Sequence, residues 1–115
     1  MMTVYGIANC DTTQKLLKYL KQKGIEYIFH DYKLQGITEY ILKNWCKQVG
    51  WETILNKRST TWRELTLTEQ KTIVTEKAAI QLMLAANSII KRPIIEKDKK
   101  IIAVGFNEQQ LNTIF

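Results

Sequence analysis

A mixed α/β fold, ordered β-α-β, then a helical insert, then β-β-α, is predicted by three features of this sequence. A short apolar run, Thr3-Val4-Tyr5-Gly6-Ile7, is followed by a helical pattern and then by a second, alternating run. The middle of the chain shows helical periodicity, broken at the polar Asn56 to Thr61. Near its end, two isoleucine-rich runs flank the turn residues Asp98-Lys99-Lys100. A strand-helix-strand unit is usually parallel and right-handed, whereas a tight hairpin is antiparallel, so the sheet is expected to be mixed.

The elements follow in order. Thr3 to Ile7 reads as a buried strand stopped by Ala8-Asn9. After Cys10, Leu16, Leu17, Tyr19 and Leu20 recur at helical spacing with Lys15, Lys18, Lys21 and Lys23 opposite them, and Gly24 suits the helix end. Ile25 to Asp31 alternates Ile25, Tyr27 and Phe29 against Glu26, Ile28 and His30, as a strand does. Thr38 caps a helix running to Val49, with Ile41, Leu42, Trp45, Cys46 and Val49 on one stripe and Gly50 ending it. Trp51 to Leu55 reads as a short helix and the polar Asn56 to Thr61 as a loop. Helices follow at about Thr68 to Val74 and at Glu76 to Ala86. Lys91-Arg92-Pro93 interrupts before the strands at Ile94-Ile95 and Ile101 to Val104. Asn107 caps a closing helix with Glu108 in its first turn.

At 115 residues, 45% hydrophobic and with a single proline, the chain has the length and composition of one globular domain, 1–115. No apolar stretch is long enough for a bilayer, and Met1-Met2-Thr3-Val4-Tyr5 lacks the layout of a secretory signal. The expected compartment is the cytoplasm, where the separated Cys10 and Cys46 stay reduced thiols. The formal charge of +6 is spread along helix faces instead of forming a block, so no nucleic-acid binding is expected. The positive field fits a small anionic substrate.

Cys10 lies between a strand and the start of a helix. There a thiolate meets unpaired backbone N–H groups and the positive end of the helix dipole, which make it nucleophilic at neutral pH. Thr13, within the first turn, is placed to hydrogen-bond the sulfur, while the Asp11 carboxylate opposes a second negative charge. The competing reading of Cys10 is a buried structural cysteine. Cys46 fits the apolar stripe of its helix as core packing, with a resolving thiol as the alternative. One histidine and two separated cysteines do not make a metal-ligand set. His30 reads as a strand side chain with a satisfied imidazole, and otherwise as a general base. Pro93, opening the third strand, is a candidate cis peptide exposing backbone polar groups beside the first helix. Arg92 before it, and Arg58 in the polar loop, are candidates to present donor forks to an oxyanion, against the alternative of solvated surface arginines.

Together these residues resemble the arsenate reductase-like (ArsC/Spx) family of the thioredoxin superfamily, over nearly the whole chain. The resemblance rests on Tyr5-Gly6-Ile7-Ala8-Asn9-Cys10-Asp11-Thr12, Phe29-His30-Asp31-Tyr32, Gly50-Trp51, Asn56-Lys57-Arg58-Ser59-Thr60-Thr61-Trp62-Arg63, Ile90-Lys91-Arg92-Pro93-Ile94 and Val104-Gly105-Phe106. It is strongest to the YffB-type branch, whose members resemble glutathione-dependent thiol reductases. The resemblance implies a thioredoxin-like fold, Cys10 as redox nucleophile, and Arg58 and Arg92 as contacts to glutathione or another anion. It also implies glutathione as co-substrate, with no bound cofactor. Where true arsenate reductases carry a third arginine this chain has Gly105, and where they carry a histidine near the cysteine it has Gly6. Both departures argue against arsenate as substrate.

Spx-type regulators, which share the fold and bind RNA polymerase without catalysis, are the alternative. Their redox-sensing members pair two cysteines in a Cys-x-x-Cys switch, and here the second position is Thr13. With no resolving cysteine at that motif, the mechanism implied is attack by Cys10 followed by resolution by an external thiol.

Overall fold

The computed structural model describes residues 1–115, from β1 (Met2–Gly6) to the last helix. Four strands form one sheet in the order β2-β1-β3-β4. β2 (Ile28–Asp31) runs parallel to β1, whereas β3 (Ile94–Lys97) is antiparallel to β1 and to β4 (Lys100–Val104). This is the expected mixed, thioredoxin-like β-α-β…β-β-α plan with a helical insert between β2 and β3. The β3–β4 turn places Asp98 and Lys99 at φ 51° and 67°, the two positive values that a two-residue hairpin needs to match strand twist.

Two compact units make up the chain: Met1–Asp31 with Arg92–Phe115, and Tyr32–Lys91. In the first, α1 (Asp11–Gln22) and α8 (Glu108–Ile114) build the core with alternate strand residues. Met2, Val4, Ile95 and Ala103 from the sheet pack with Leu16, Tyr19, Leu20 and Leu111 from the helices. The Tyr19 hydroxyl donates to Asn112 Oδ1 at 2.6 Å, joining α1 to α8. Removing Leu16, Leu20 and Leu111 completely from water is the main source of this unit's stability, at roughly 1.5–3 kcal/mol for each such side chain.

The second unit is helical: α2 (Tyr32–Gln35), α3 (Glu39–Val49), α4 (Trp51–Ile54), α5 (Thr60–Glu64), α6 (Leu67–Lys71) and α7 (Glu76–Ala85), then a 3-10 turn at Asn87–Ile89. Thr38, Ser59, Thr66 and Thr75 start four of these helices by accepting backbone N–H groups with their side-chain oxygens. α3 packs against α4 and α7, and Leu42, Trp45, Ile54 and Met83 are wholly buried. No helix in the chain is long and apolar enough to cross a membrane.

Several elements differ from the sequence reading for local reasons. The second strand begins at Ile28, not Ile25. The Ile25 N–H is used instead to close α1 on Leu20 O at 2.9 Å, with Gly24 N–H on Lys21 O, the paired bonds of a glycine-ended helix. The loop expected over Asn56 to Thr61 stops at Ser59, whose hydroxyl accepts Trp62 N–H and so starts α5. The helix expected at Thr68 to Val74 begins one residue earlier, because Thr66 and Glu69 form a reciprocal capping box, and it ends at Lys71. α2 and the 3-10 turn were not foreseen. They are held within their unit by the Asn87 side-chain amide donating to Tyr32 O at 3.0 Å, a contact between residues far apart in sequence.

Candidate functional site

The sheet brings three strand ends together. Parallel pairing sets Gly6 of β1 beside Asp31 of β2, and antiparallel pairing sets Tyr5 beside Ile94, the residue after Pro93. The turn from β1 to α1 therefore lies at the same end of the sheet as the start of β3. Inside that turn the Cys10 N–H donates to Ile7 O at 3.0 Å, and the Ala8 N–H donates to the Asp31 carboxylate at 3.2 Å. The Gln14 side-chain amide donates to Ala8 O.

Cys10 is the N-cap residue of α1, with extended backbone angles, and its side chain makes no capping bond. The thiol is half-buried. Burial alone would push it up, but the Thr13 backbone N–H, the Thr13 hydroxyl and the Arg92 guanidinium all favour the thiolate and bring Cys10 below its ordinary value. Thr13 is fully buried, and its Oγ1 has no well-formed hydrogen-bond partner. Its influence falls on Cys10, whose thiolate form it favours.

The Arg92–Pro93 peptide bond is cis, and Pro93 is buried. Its carbonyl accepts the Gly105 N–H at 2.7 Å, tying the end of β4 to the start of β3. Gly105 has φ +81°, a left-handed conformation that costs an ordinary side chain about 1–2 kcal/mol, which suits glycine and not arginine at this position.

Of the residues singled out in the sequence, Cys10, Thr13, Arg92 and Pro93 all belong to the sheet-bearing unit. Arg58 belongs to the helical unit, on an exposed turn in which its own N–H donates to Asn56 Oδ1 at 3.0 Å. His30 stacks in a tilted pair with Tyr5, the ring centroids 4.7 Å apart. The chain has no cluster of three metal-ligating side chains. Sequence reasoning passed over Asp31 and Gln14, which fasten the Cys10 turn. A charged residue ending an apolar strand, as Asp31 does, is the signal that points to such a buried tether.

Cys46 lies in α3 and is 5% exposed. Burial, and then the Glu76 charge, push its thiol from 9.0 up to about 11. It is a protonated, shielded group at neutral pH, as core packing requires. Cys46→Ala is expected to cost about 1 kcal/mol of stability through lost packing and to leave the alkylation rate of Cys10 unchanged. Thermal denaturation and iodoacetamide kinetics measure the two effects, and slowed Cys10 chemistry would make Cys46 a resolving thiol. The folded protein holds the Cys46 proton more tightly than the unfolded chain does. The stabilising contribution is therefore complete below pH 9.0 and is lost as pH rises through about 11.

A mixed four-stranded sheet with a cysteine capping its first helix and a cis-proline opening its third strand defines a thioredoxin-like α/β protein. The chain belongs to the ArsC family, whose model matches residues 5–114. It is 45% identical to an uncharacterized protein of Haemophilus influenzae over 100% of this chain and 99% of that one. Among solved structures it is similar to a YffB protein, with a TM-score of 0.90, 40% identity, and 98% and 97% of the two chains covered. An arsenate reductase (ArsC) related protein from Brucella melitensis is 42% identical, with a TM-score of 0.79 and 97% and 92% covered. A more distant relative, the regulatory protein MgsR of Bacillus subtilis, is 27% identical over 96% of this chain and 86% of its own.

Proposed function

We propose that this protein is a thiol-dependent reductase acting as one functional domain, with Cys10 Sγ as its nucleophile. In this reading Thr13 and Arg92 hold the thiolate, and Arg58, Arg92 and the Pro93 backbone receive an anionic thiol co-substrate, glutathione. The observation that carries the proposal is the setting of Cys10, a half-buried thiol at the N-terminus of α1 whose thiolate is favoured by Thr13 and Arg92. Membership of the ArsC family and similarity to an arsenate reductase-related protein support the same class of chemistry.

The Cys10 thiolate attacks one sulfur of an oxidised disulfide, forming a new S–S bond as the old one breaks and its second sulfur leaves as thiolate. A glutathione thiolate then attacks the mixed disulfide and regenerates the Cys10 thiolate. Where the group left on Cys10 is not glutathionyl, a second glutathione thiolate attacks the resulting glutathione–substrate disulfide and releases the substrate thiolate as oxidised glutathione forms, so the substrate gains the two electrons that two thiols lose. The cytoplasm, with its glutathione pool, is the proposed compartment. A thiol-trapping pH titration of wild type and Cys10→Ser, with and without glutathione, tests the reading; an ordinary Cys10 titration with no mixed disulfide formed would reject it.

Arsenate is not the proposed substrate. With glycine at 6 and 105, arsenate turnover with glutathione and glutaredoxin is expected to be weak or absent, and robust turnover would reverse this assignment. Similarity to MgsR favours one second reading, a regulator that binds RNA polymerase without catalysis. Pull-down of polymerase by the Cys10→Ser variant, together with no disulfide turnover by wild type, would establish it.

A further inference from the structure

Gly6 is an ordinary strand residue at the end of β1, paired with Asp31, and its backbone does not call for glycine. The space around it does. A Cβ at position 6 would lie 2.7 Å from Thr13 Oγ1, 2.9 Å from Thr13 Cγ2 and 3.3 Å from Thr13 Cβ. All three are atoms of one side chain, fully buried and carried on the first turn of α1. Thr13 is short and β-branched, so it has no flexible end to swing aside and would have to change rotamer or move with the helix. The hydroxyl that would be displaced is the one bearing on the Cys10 sulfur.

We propose that Gly6 is a positioning residue for Cys10: because this strand end carries no side chain, the Thr13 hydroxyl is held where it donates to the Cys10 thiolate. The inference rests on the reading of Cys10 as nucleophile and adds a residue that touches neither the sulfur nor a substrate. The physical logic is that of an incompletely satisfied buried donor. A hydroxyl walled in by Gly6, with no well-formed hydrogen-bond partner, gains most when the neighbouring sulfur becomes an anion. The glycine thus makes the thiolate, and not the thiol, the better-solvated state of Cys10.

The test is the pH dependence of Cys10 alkylation by iodoacetamide in wild type, Gly6→Ala, Thr13→Ala and the double variant. Gly6→Ala is expected to move the alkylation midpoint upward, lowering the apparent acid constant about tenfold, the scale of one hydrogen bond to a charged group. Thr13→Ala is expected to do the same. In the double variant the two effects are not expected to add, because Gly6 acts only through Thr13. An unmoved midpoint in Gly6→Ala, or full additivity in the double variant, overturns the proposal. If Gly6→Ala fails to fold, the double variant decides, since Thr13→Ala removes both atoms within 3 Å of the new Cβ. A double variant that folds, with a midpoint matching Thr13→Ala, supports the proposal; one that stays unfolded overturns it. Alkylation needs no disulfide substrate, so missing reductase turnover with this midpoint pattern intact would count against the reductase reading alone.

Discussion

Cys10→Ser is expected to abolish thiol-dependent turnover, with a loss on the order of a thousandfold or more, because a serine hydroxyl is not ionised at neutral pH and forms no disulfide. The fold should be unaffected. The Cys10 side chain makes no capping bond, and the turn around it is held by the Cys10 N–H on Ile7 and by the Asp31 carboxylate on Ala8. A glutathione-dependent disulfide reduction assay measures the turnover, circular dichroism the fold, and an iodoacetamide time course the reactivity of the two thiols. In wild type Cys10 is expected to alkylate first, and Cys46, buried and pushed up to about 11, far more slowly. The sign of the pH dependence follows from the same groups. A thiol held below its ordinary value carries more thiolate at a given pH than a free cysteine, and loses reactivity as pH falls through its folded-state value. Faster alkylation of Cys46, or turnover surviving in Cys10→Ser, would reject Cys10 as the nucleophile.

Arg92→Ala is expected to produce two losses at once. The Cys10 thiolate loses a hydrogen-bonding cation, so its alkylation midpoint rises; the anionic co-substrate loses a donor fork, so its dissociation constant rises roughly ten- to hundredfold. Arg58→Ala is expected to weaken glutathione binding without moving the Cys10 midpoint, since no effect of Arg58 on the sulfur accompanies that of Arg92. Lysine at either position should rescue only in part, because a point charge does not reproduce a two-pronged contact. Calorimetric or NMR titration of each variant with glutathione, alongside alkylation against pH, separates the two losses. Unchanged affinity in both variants would make these arginines surface residues and move the anion site elsewhere.

The elements that could be read from the sequence are those whose signal is local. Leu16, Tyr19 and Leu20 at helical spacing, Thr38 before an apolar stripe, Asn107 before Glu108 and Asp98-Lys99 between isoleucines each specify a helix face, a cap or a turn within a few residues. Cys10 as the candidate nucleophile is of the same kind, since a cysteine between an apolar strand and a helix start is visible in sequence order. What escaped were features in which one residue acts on another far along the chain, or in which a local group is claimed by a competing bond. The Ile25 N–H closes α1 and is spent before a strand can use it, and Ser59 caps a helix where its polar neighbours suggested a loop.

The sequence by itself determined the α/β order, the mixed sheet and the identity of the candidate thiol, because periodicity, caps and breakers act over short distances. Only the tertiary structure decided the chemistry around that thiol. Arg92 comes to favour the Cys10 thiolate because antiparallel pairing puts the start of β3 beside the end of β1, a partnership across some eighty residues that no local pattern encodes. The Asp31 tether to Ala8 depends in the same way on the parallel register of β1 with β2. The fit of the bare Gly6 against Thr13 is a matter of tenths of an ångström at the junction of strand and helix, and packing at that scale is settled only when the sheet and α1 have come together.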